Sequence, residues 1–178
     1  SIIVSETTAY KLHNYKDITG NYTFSTHDSK GDILYGIDVF VHPKYRGLRL
    51  GRRLYDARKE LCEQLNLKAI VFAGRIPNYK KFSNDLTPKE YIEKVNKKEI
   101  YDPVLTFQLS NDFQPVRVIR NYLEEDKSSQ EFAVLLDWNN IYYEEDIQFI
   151  NVRKSVIRLG LIQWQMRSLG NIDALFEQ

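Results

Sequence analysis

The sequence predicts an α/β fold built on a strand–turn–helix–strand unit, and three observations carry that expectation. Ile33 to Val41 is a β-branched and aromatic run with partial alternation, the pattern of a strand. Leu50, Leu54, Ala57, Leu61 and Leu65 then recur at helical spacing, so an amphipathic helix is expected from about Leu50 to Leu65, with Asn66 as its stop. Ala69 to Ala73 is a short continuous apolar run, which suits a strand buried on both faces and lying parallel to the first.

The remaining elements follow from local signals. Ile2 to Lys11 and Asn21 to Ser25 read as two strands, separated by the turn chemistry of Asn14, Asp17 and Gly20. His27 to Asp32 is a polar turn, and Gly74 to Tyr79 breaks the apolar strand. Thr87-Pro88-Lys89-Glu90 supplies an N-cap, a proline at the first helical position and a capping-box glutamate. Asp102-Pro103 opens a second short helix, through Leu109, in the same way. Phe113 to Ile119 is expected as a strand in which Pro115 marks a bulge or an edge. Glu131 to Trp138 is the last strand of a domain spanning 1–138. From Asn139 the composition turns to Asn, Tyr and acidic residues, the expected linker over 139–154. The apolar run Val156 to Gln163 and a helix start near Asn171 make 155–178 a strand–helix fragment that opens a second domain.

Composition bounds the function. Hydrophobic residues make up 43% of 178, enough to bury the core of one ordinary domain with some chain to spare. With 25 Lys+Arg against 24 Asp+Glu, bulk binding to nucleic acid or to a membrane surface is not implied. The single cysteine, Cys62, excludes an internal disulfide and reads as a buried structural thiol beside the apolar stripe. His13, His27 and His42 lie far apart with no second cysteine, so no metal site is expected. No apolar run is long enough to span a bilayer and no charged-then-apolar leader is present, which gives a cytoplasmic expectation. The chain starts with Ser, not Met, and is expected to be an excerpt of a longer one.

The informative stretch runs from His42 to Leu54, between the strand and the helix, and holds two glycines and four arginines. N–H groups without an intrahelical partner, together with the positive end of the helix dipole, make such a turn an anion site. A solvated turn before a surface helix is the plain alternative. Nucleic-acid binding through Arg46, Arg49, Arg52 and Arg53 is disfavoured by the balanced charge and the lack of an interleaved aromatic platform.

Val41-His42-Pro43-Lys44-Tyr45-Arg46-Gly47-Leu48-Arg49-Leu50-Gly51 resembles the acetyl-CoA motif of the GNAT acetyltransferases: Arg or Gln, two residues, Gly or Ala, one residue, Gly or Ala. Arg46 and Gly51 match the outer positions, and Arg49 stands where Gly is commonest. The resemblance covers roughly residues 1 to 138. It implies a mixed, splayed β-sheet flanked by helices, open between the strand ending at Val41 and the one starting near Lys68. The pantetheine arm of acetyl-CoA would pair with that first strand around Val39 to Val41, and its diphosphate would sit on the turn. Phe40, Val41, Arg46, Gly47, Arg49, Leu50, Gly51 and Arg52 are therefore expected to bind the cofactor. A side chain at Gly47 or Gly51 would hold the backbone away from the phosphates. The family spends a strand and two helices before this unit, whereas only about two strands are expected here.

The activity implied is acetyl transfer to a primary amine by direct attack on the thioester, which needs a base, oxyanion donors and an acid for the thiolate. Backbone N–H near Phe40 or Val41 would meet the oxyanion. Asp38, flanked by Ile37 and Val39, is the candidate base on the expectation that burial disfavours its charge; the alternative is a carboxylate satisfied by backbone or solvent. The family's acid tyrosine falls at Gln108, leaving Tyr79, with Tyr101 behind it, as the substitute, against the alternative that either is packing. That missing tyrosine favours a second reading, a non-catalytic acyl-CoA-binding module that regulates or docks a linked amidase. Arg158-Leu159-Gly160-Leu161-Ile162-Gln163-Trp164-Gln165-Met166-Arg167 resembles the opening strand of the carbon–nitrogen hydrolase (nitrilase) family. The whole thus resembles the GNAT part of a GNAT/hydrolase fusion, with no hydrolase activity expected from the fragment. Expected partners are a small-molecule or protein amine and the hydrolase domain of the longer chain, with no nucleic acid and no membrane; a homodimer is compatible with the same reading.

Overall fold

The computed structural model describes residues 1–145. Five strands form one mixed sheet: β1 (Ile2–Val4), β2 (Ile33–Tyr35), β3 (Ala69–Arg75), β4 (Gln114–Ile119) and β5 (Ala133–Asn139). Their order is β1-β2-β3-β5-β4, with β2 and β3 parallel and the other neighbours antiparallel. Between the parallel pair runs α3 (Leu50–Gln64). The strand–helix–strand unit is therefore present, and the fold is mixed α/β with helices flanking the sheet, as expected.

Alternation along the central strands fills both faces. Leu34, Ile70, Phe72, Val134 and Leu136 point to the side covered by α3, α4 (Pro88–Asn96) and α5 (Leu105–Leu109). Ile33, Tyr35, Val71 and Leu135 point to the side covered by α1 (Glu6–Tyr10) and α2 (Tyr15–Thr19). Double burial explains why these strands read as nearly unbroken apolar runs. Thr87 and Glu90 form the expected capping box of α4. Pro115 sits at a register shift on β4, at the sheet's edge, where a missing donor is tolerated.

Three expectations are corrected. The run Ile2 to Lys11 is not one strand: Ser5 accepts from the Thr8 N–H and starts α1 after three strand residues. Asn14 and Asp17 form a capping box for α2, which Gly20 ends in the left-handed conformation, and Asn21, Tyr22 and Phe24 also have positive φ, so 21–25 is turn rather than strand. A strand and two short helices thus precede β2. The break expected at Gly74 comes later, since Gly74 and Arg75 complete β3.

A fourth correction shapes the site. β2 was expected to run to Val41 and ends at Tyr35. Its register with β3 holds for Ile33↔Ala69, Leu34↔Ile70 and Tyr35↔Val71, closed by Gly36 N–H to Val71 carbonyl at 2.8 Å. Beyond that the two part. A Cβ on Gly36 would lie 3.2 Å from Phe72 Cβ and 3.3 Å from Arg58 Nη1, so a side chain there would press both aside by a few tenths of an ångström. Arg58 Nη2 then donates to the Asp38 carbonyl, tying the departed segment to α3.

Residues following β5 stay attached to this unit. Asn139 is its last residue, and the buried Asn140 donates through Nδ2 to the Leu67 carbonyl at 2.9 Å. Asn66, in the left-handed conformation that stops α3, bonds both ways with the Glu144 backbone. The remainder of the expected linker and the 155–178 fragment lie outside the described residues.

Candidate functional site

The turn into α3 is built by a short 3₁₀ segment, Pro43–Tyr45, capped by His42 Nδ1 accepting from the Lys44 N–H. Arg46 Nε donates to the Val41 carbonyl at 3.3 Å. After it, the backbone N–H groups of Gly47, Leu48, Arg49, Leu50, Gly51 and Arg52 donate to no acceptor among the described residues. Such a run at the N-terminus of a 15-residue helix, with three exposed arginines, Arg46, Arg49 and Arg52, is an anion cradle.

The glycines serve different ends. Gly47 has φ +85° and open space where a Cβ would be, so it is there for conformation. Gly51 is there for packing: a Cβ would sit 2.9 Å from the Phe107 ring of α5, so a larger side chain would push α5 away. Arg49 is the N-cap of α3 at φ +58°, which explains why glycine is the common residue there in the motif. Arg49→Gly is expected to keep the folding stability or raise it by up to about 1 kcal/mol, whereas Arg49→Val lowers it by about 1–2 kcal/mol, read as shifts of the thermal midpoint. Equal midpoints for the two variants would show that this backbone is not strained.

From the cradle a groove of about 810 Å³ runs into the gap between Gly36–Val41 and β3. Its lining brings together Asp38 and every residue expected at the cofactor: Phe40, Val41, Arg46, Gly47, Arg49, Leu50, Gly51 and Arg52. Tyr79 is not in that lining. It is buried, its hydroxyl donates to the Leu86 carbonyl at 3.1 Å, and its ring packs on Tyr91 and Phe132, so its role is structural. Tyr101 lies on the rim, largely exposed. Asp38 is exposed, contrary to the burial expected of it, and Oδ2 accepts from the Tyr15 hydroxyl at 2.8 Å. Burial, and then this bond, push Tyr15 up to about 12, so at neutral pH it stays a donor to Asp38.

The floor holds Gln108 together with two groups that no sequence signal marked, Tyr55 and Arg58. Tyr55 is 4% exposed, its ring held by Phe72, Phe107 and Phe113. Its hydroxyl makes no hydrogen bond among the described residues, yet it is not one of the sealed, unpartnered atoms, so it opens to the groove. Burial raises its pKa, and the neighbouring Gln108 carboxamide opposes that. Gln108 packs against Gly74, where a Cβ would come 2.2 Å from Oε1, and that oxygen is sealed without a donor. Burial lowers the Arg58 pKa, and no carboxylate pairs with it among the described residues.

A splayed mixed sheet with an N–H-lined helix start at the mouth of the gap defines a GNAT-like fold, and residues 8–82 match the model of the Acetyltransferase (GNAT) family. Two solved structures share the fold. The loading GNATL domain of CurA from Lyngbya majuscula aligns with TM-score 0.64 at 20% identity, over 78% of this chain and 67% of that one. The GphF GNAT-like decarboxylase, in complex with isobutyryl-CoA, aligns with TM-score 0.60 at 19% identity, over 78% and 69%. Among curated proteins, the chain is 43% identical over 168 residues to the Probable hydrolase YhcX of Bacillus subtilis (strain 168), covering 93% of this chain. It is 36% identical over 133 residues, 75% of this chain, to the Uncharacterized N-acetyltransferase YkwB of the same organism. The chain spans 33% of the first relative's length and 58% of the second's. Together these findings show a GNAT-like fold. No helix of the described residues is long and apolar enough to cross a membrane.

Proposed function

We propose that this domain binds an acyl-CoA, with acetyl-CoA as the simplest, and transfers the acyl group to a primary amine. The observation that carries this reading is one continuous groove, from a run of unpaired N–H groups at the start of α3 into the open gap between β2 and β3. The cradle fits a diphosphate, which needs several converging donors, and the open strand edges fit an amide-bearing arm. The GNAT-like structure in complex with isobutyryl-CoA supports an acyl-CoA ligand for this architecture.

The chain's own residues then divide the work. Asp38, oriented by Tyr15, takes the proton of the attacking ammonium directly or through water. Backbone N–H near Phe40 and Val41, residues that line the groove, would meet the thioester oxygen as it gains charge. The amine nitrogen bonds to the carbonyl carbon as the C–S bond breaks, its second proton passes to solvent in the groove, and the Tyr55 hydroxyl gives its proton to the departing sulfur. Solvent in the groove restores the Tyr55 proton. In this scheme Tyr55, on α3, stands in for the tyrosine absent at Gln108.

A second reading, a non-catalytic acyl-CoA-binding module for a linked amidase, is favoured by Gln108 itself, which cannot donate a proton usefully. The match to a protein named a probable hydrolase, of which this chain spans a third, supports a hydrolase domain in the longer chain, with 155–178 as its opening. Titration calorimetry with acetyl-CoA, followed by thiol release across a panel of amines, tests both. Binding with turnover is expected. No binding at high micromolar acetyl-CoA sinks both readings, and binding without turnover by any amine leaves the module.

A further inference from the structure

α3 carries two stripes at helical spacing, and the sheet uses only one. Tyr55 and Cys62 point into the core beside Gly51 and Arg58, whereas Leu54, Leu61 and Leu65 are 43%, 40% and 38% exposed. At 3.6 residues per turn, Leu50, Leu54, Leu61 and Leu65 fall within an arc of about 60° and extend for about 22 Å. This leucine face was the strongest apolar signal in the sequence, and no described element covers it.

The face is self-complementary. Turned about a two-fold axis beside Ala57, it sets Leu54 against Leu61 and Leu50 against Leu65. Charge follows the same symmetry: Arg53 flanks the leucines in the first half and Glu60 flanks them on the same side in the second. Both are exposed, and neither is ion-paired among the described residues. An antiparallel copy brings each Arg53 towards the other copy's Glu60 and opposes the two helix dipoles favourably. A parallel copy would instead carry the Arg53 and Glu60 flank to the opposite side of the interface and leave these charges unpaired. Beside Leu50 and Leu54, a cleft of about 440 Å³ walled by Phe40 and Tyr45 lies where Leu65 of a second copy would seat. The sheet edges are poorer candidates, since β1 has three residues and β4 carries a proline and a bulge.

We infer that the leucine face of α3 is a homodimer interface, two copies pairing antiparallel through Leu50, Leu54, Leu61 and Leu65 with Arg53–Glu60 ion pairs on its flanks. Sedimentation velocity over a concentration series of the 178-residue chain tests it, with circular dichroism confirming each variant's fold. The mass is expected to rise from 21.0 kDa towards twice that value. Leu61→Glu, and independently Leu54→Glu, should hold it at 21.0 kDa with an unchanged spectrum. Arg53→Glu and Glu60→Arg should each weaken association by about fivefold, and the double swap should restore it. Three results would each overturn the inference: a wild-type chain that stays monomeric, so that something other than a second copy covers the face; Leu61→Glu dimers as tight as wild type; or a double swap no tighter than the single ones.

Discussion

Tyr55→Phe is expected to lower thiol release by about 10²–10⁴-fold while acetyl-CoA binding stays within about threefold of wild type. The change removes one oxygen and keeps the ring that Phe72, Phe107 and Phe113 hold, so folding stability should move by less than about 1 kcal/mol. The direction of the pKa shift sets the pH signature. Burial raises the folded pKa of Tyr55 above its ordinary value, so the hydroxyl remains protonated through neutral and mildly alkaline solution and serves as an acid there. Wild-type turnover should therefore hold on the alkaline side until near the stability limit of the fold. Gln108→Leu is a companion test: it removes a sealed acceptor from the groove floor and should stabilise the fold. A Tyr55→Phe protein that turns over like wild type would falsify the assignment and leave the acyltransferase reading standing.

The largest loss of stability is expected from Asp102→Ala, about 3–5 kcal/mol from a total of about 5–15. Asp102 is 0% exposed and ties three segments together. Its Oδ1 accepts from the Val104 and Leu105 N–H groups, which start α5, and its Oδ2 accepts from the Tyr91 hydroxyl of α4 and the Asn78 N–H after β3. Alanine strands those donors in the core, where each lacks water as a substitute. Because α5 carries Phe107 and Gln108, the groove wall should loosen with the fold. Urea denaturation reads the loss directly, and Asp102→Asn should fall between, keeping an acceptor for the α5 start. A midpoint within error of wild type for Asp102→Ala would mean that the carboxylate is not the tie the geometry describes.

What the sequence disclosed was whatever local chemistry decides. The capping box at Thr87 and Glu90, the bulge at Pro115 and the anion turn before Leu50 each rest on residue types a few positions apart, and each is found in place. Helices α1 and α2, at five residues each, are too short to show a period, and their only signal was capping at Ser5 and Asn14. α3 misled for a different reason. Gly51, Tyr55, Arg58 and Cys62 recur at 4, 3 and 4 positions, as regular as the leucines, but hydropathy favours the leucine stripe. Choosing the more apolar face hid Tyr55 and Arg58, the two groups that α3 sends to the groove floor. Asp38 and Tyr79 turn on long-range geometry, one left exposed by the parting of β2 from β3 and the other sealed beneath Leu86. No spacing along the chain reports either.

Where β2 departs, no strand among the described residues pairs with that side of β3 from Phe72 to Arg75, which leaves an open edge inside the sheet and not at its rim. An open edge ordinarily invites a strand from another molecule, and proteins guard theirs with charge, proline or a cover. Here the guard is access: the slot is bounded by the Gly36–Val41 segment and by Tyr55 and Gln108, so a slender chain with amide groups can enter more readily than a second sheet. Filling the slot then amounts to adding a strand that is not a peptide. If acyl-CoA occupies the slot as proposed, heated samples should aggregate more slowly with it bound than any rise in the thermal midpoint alone would account for.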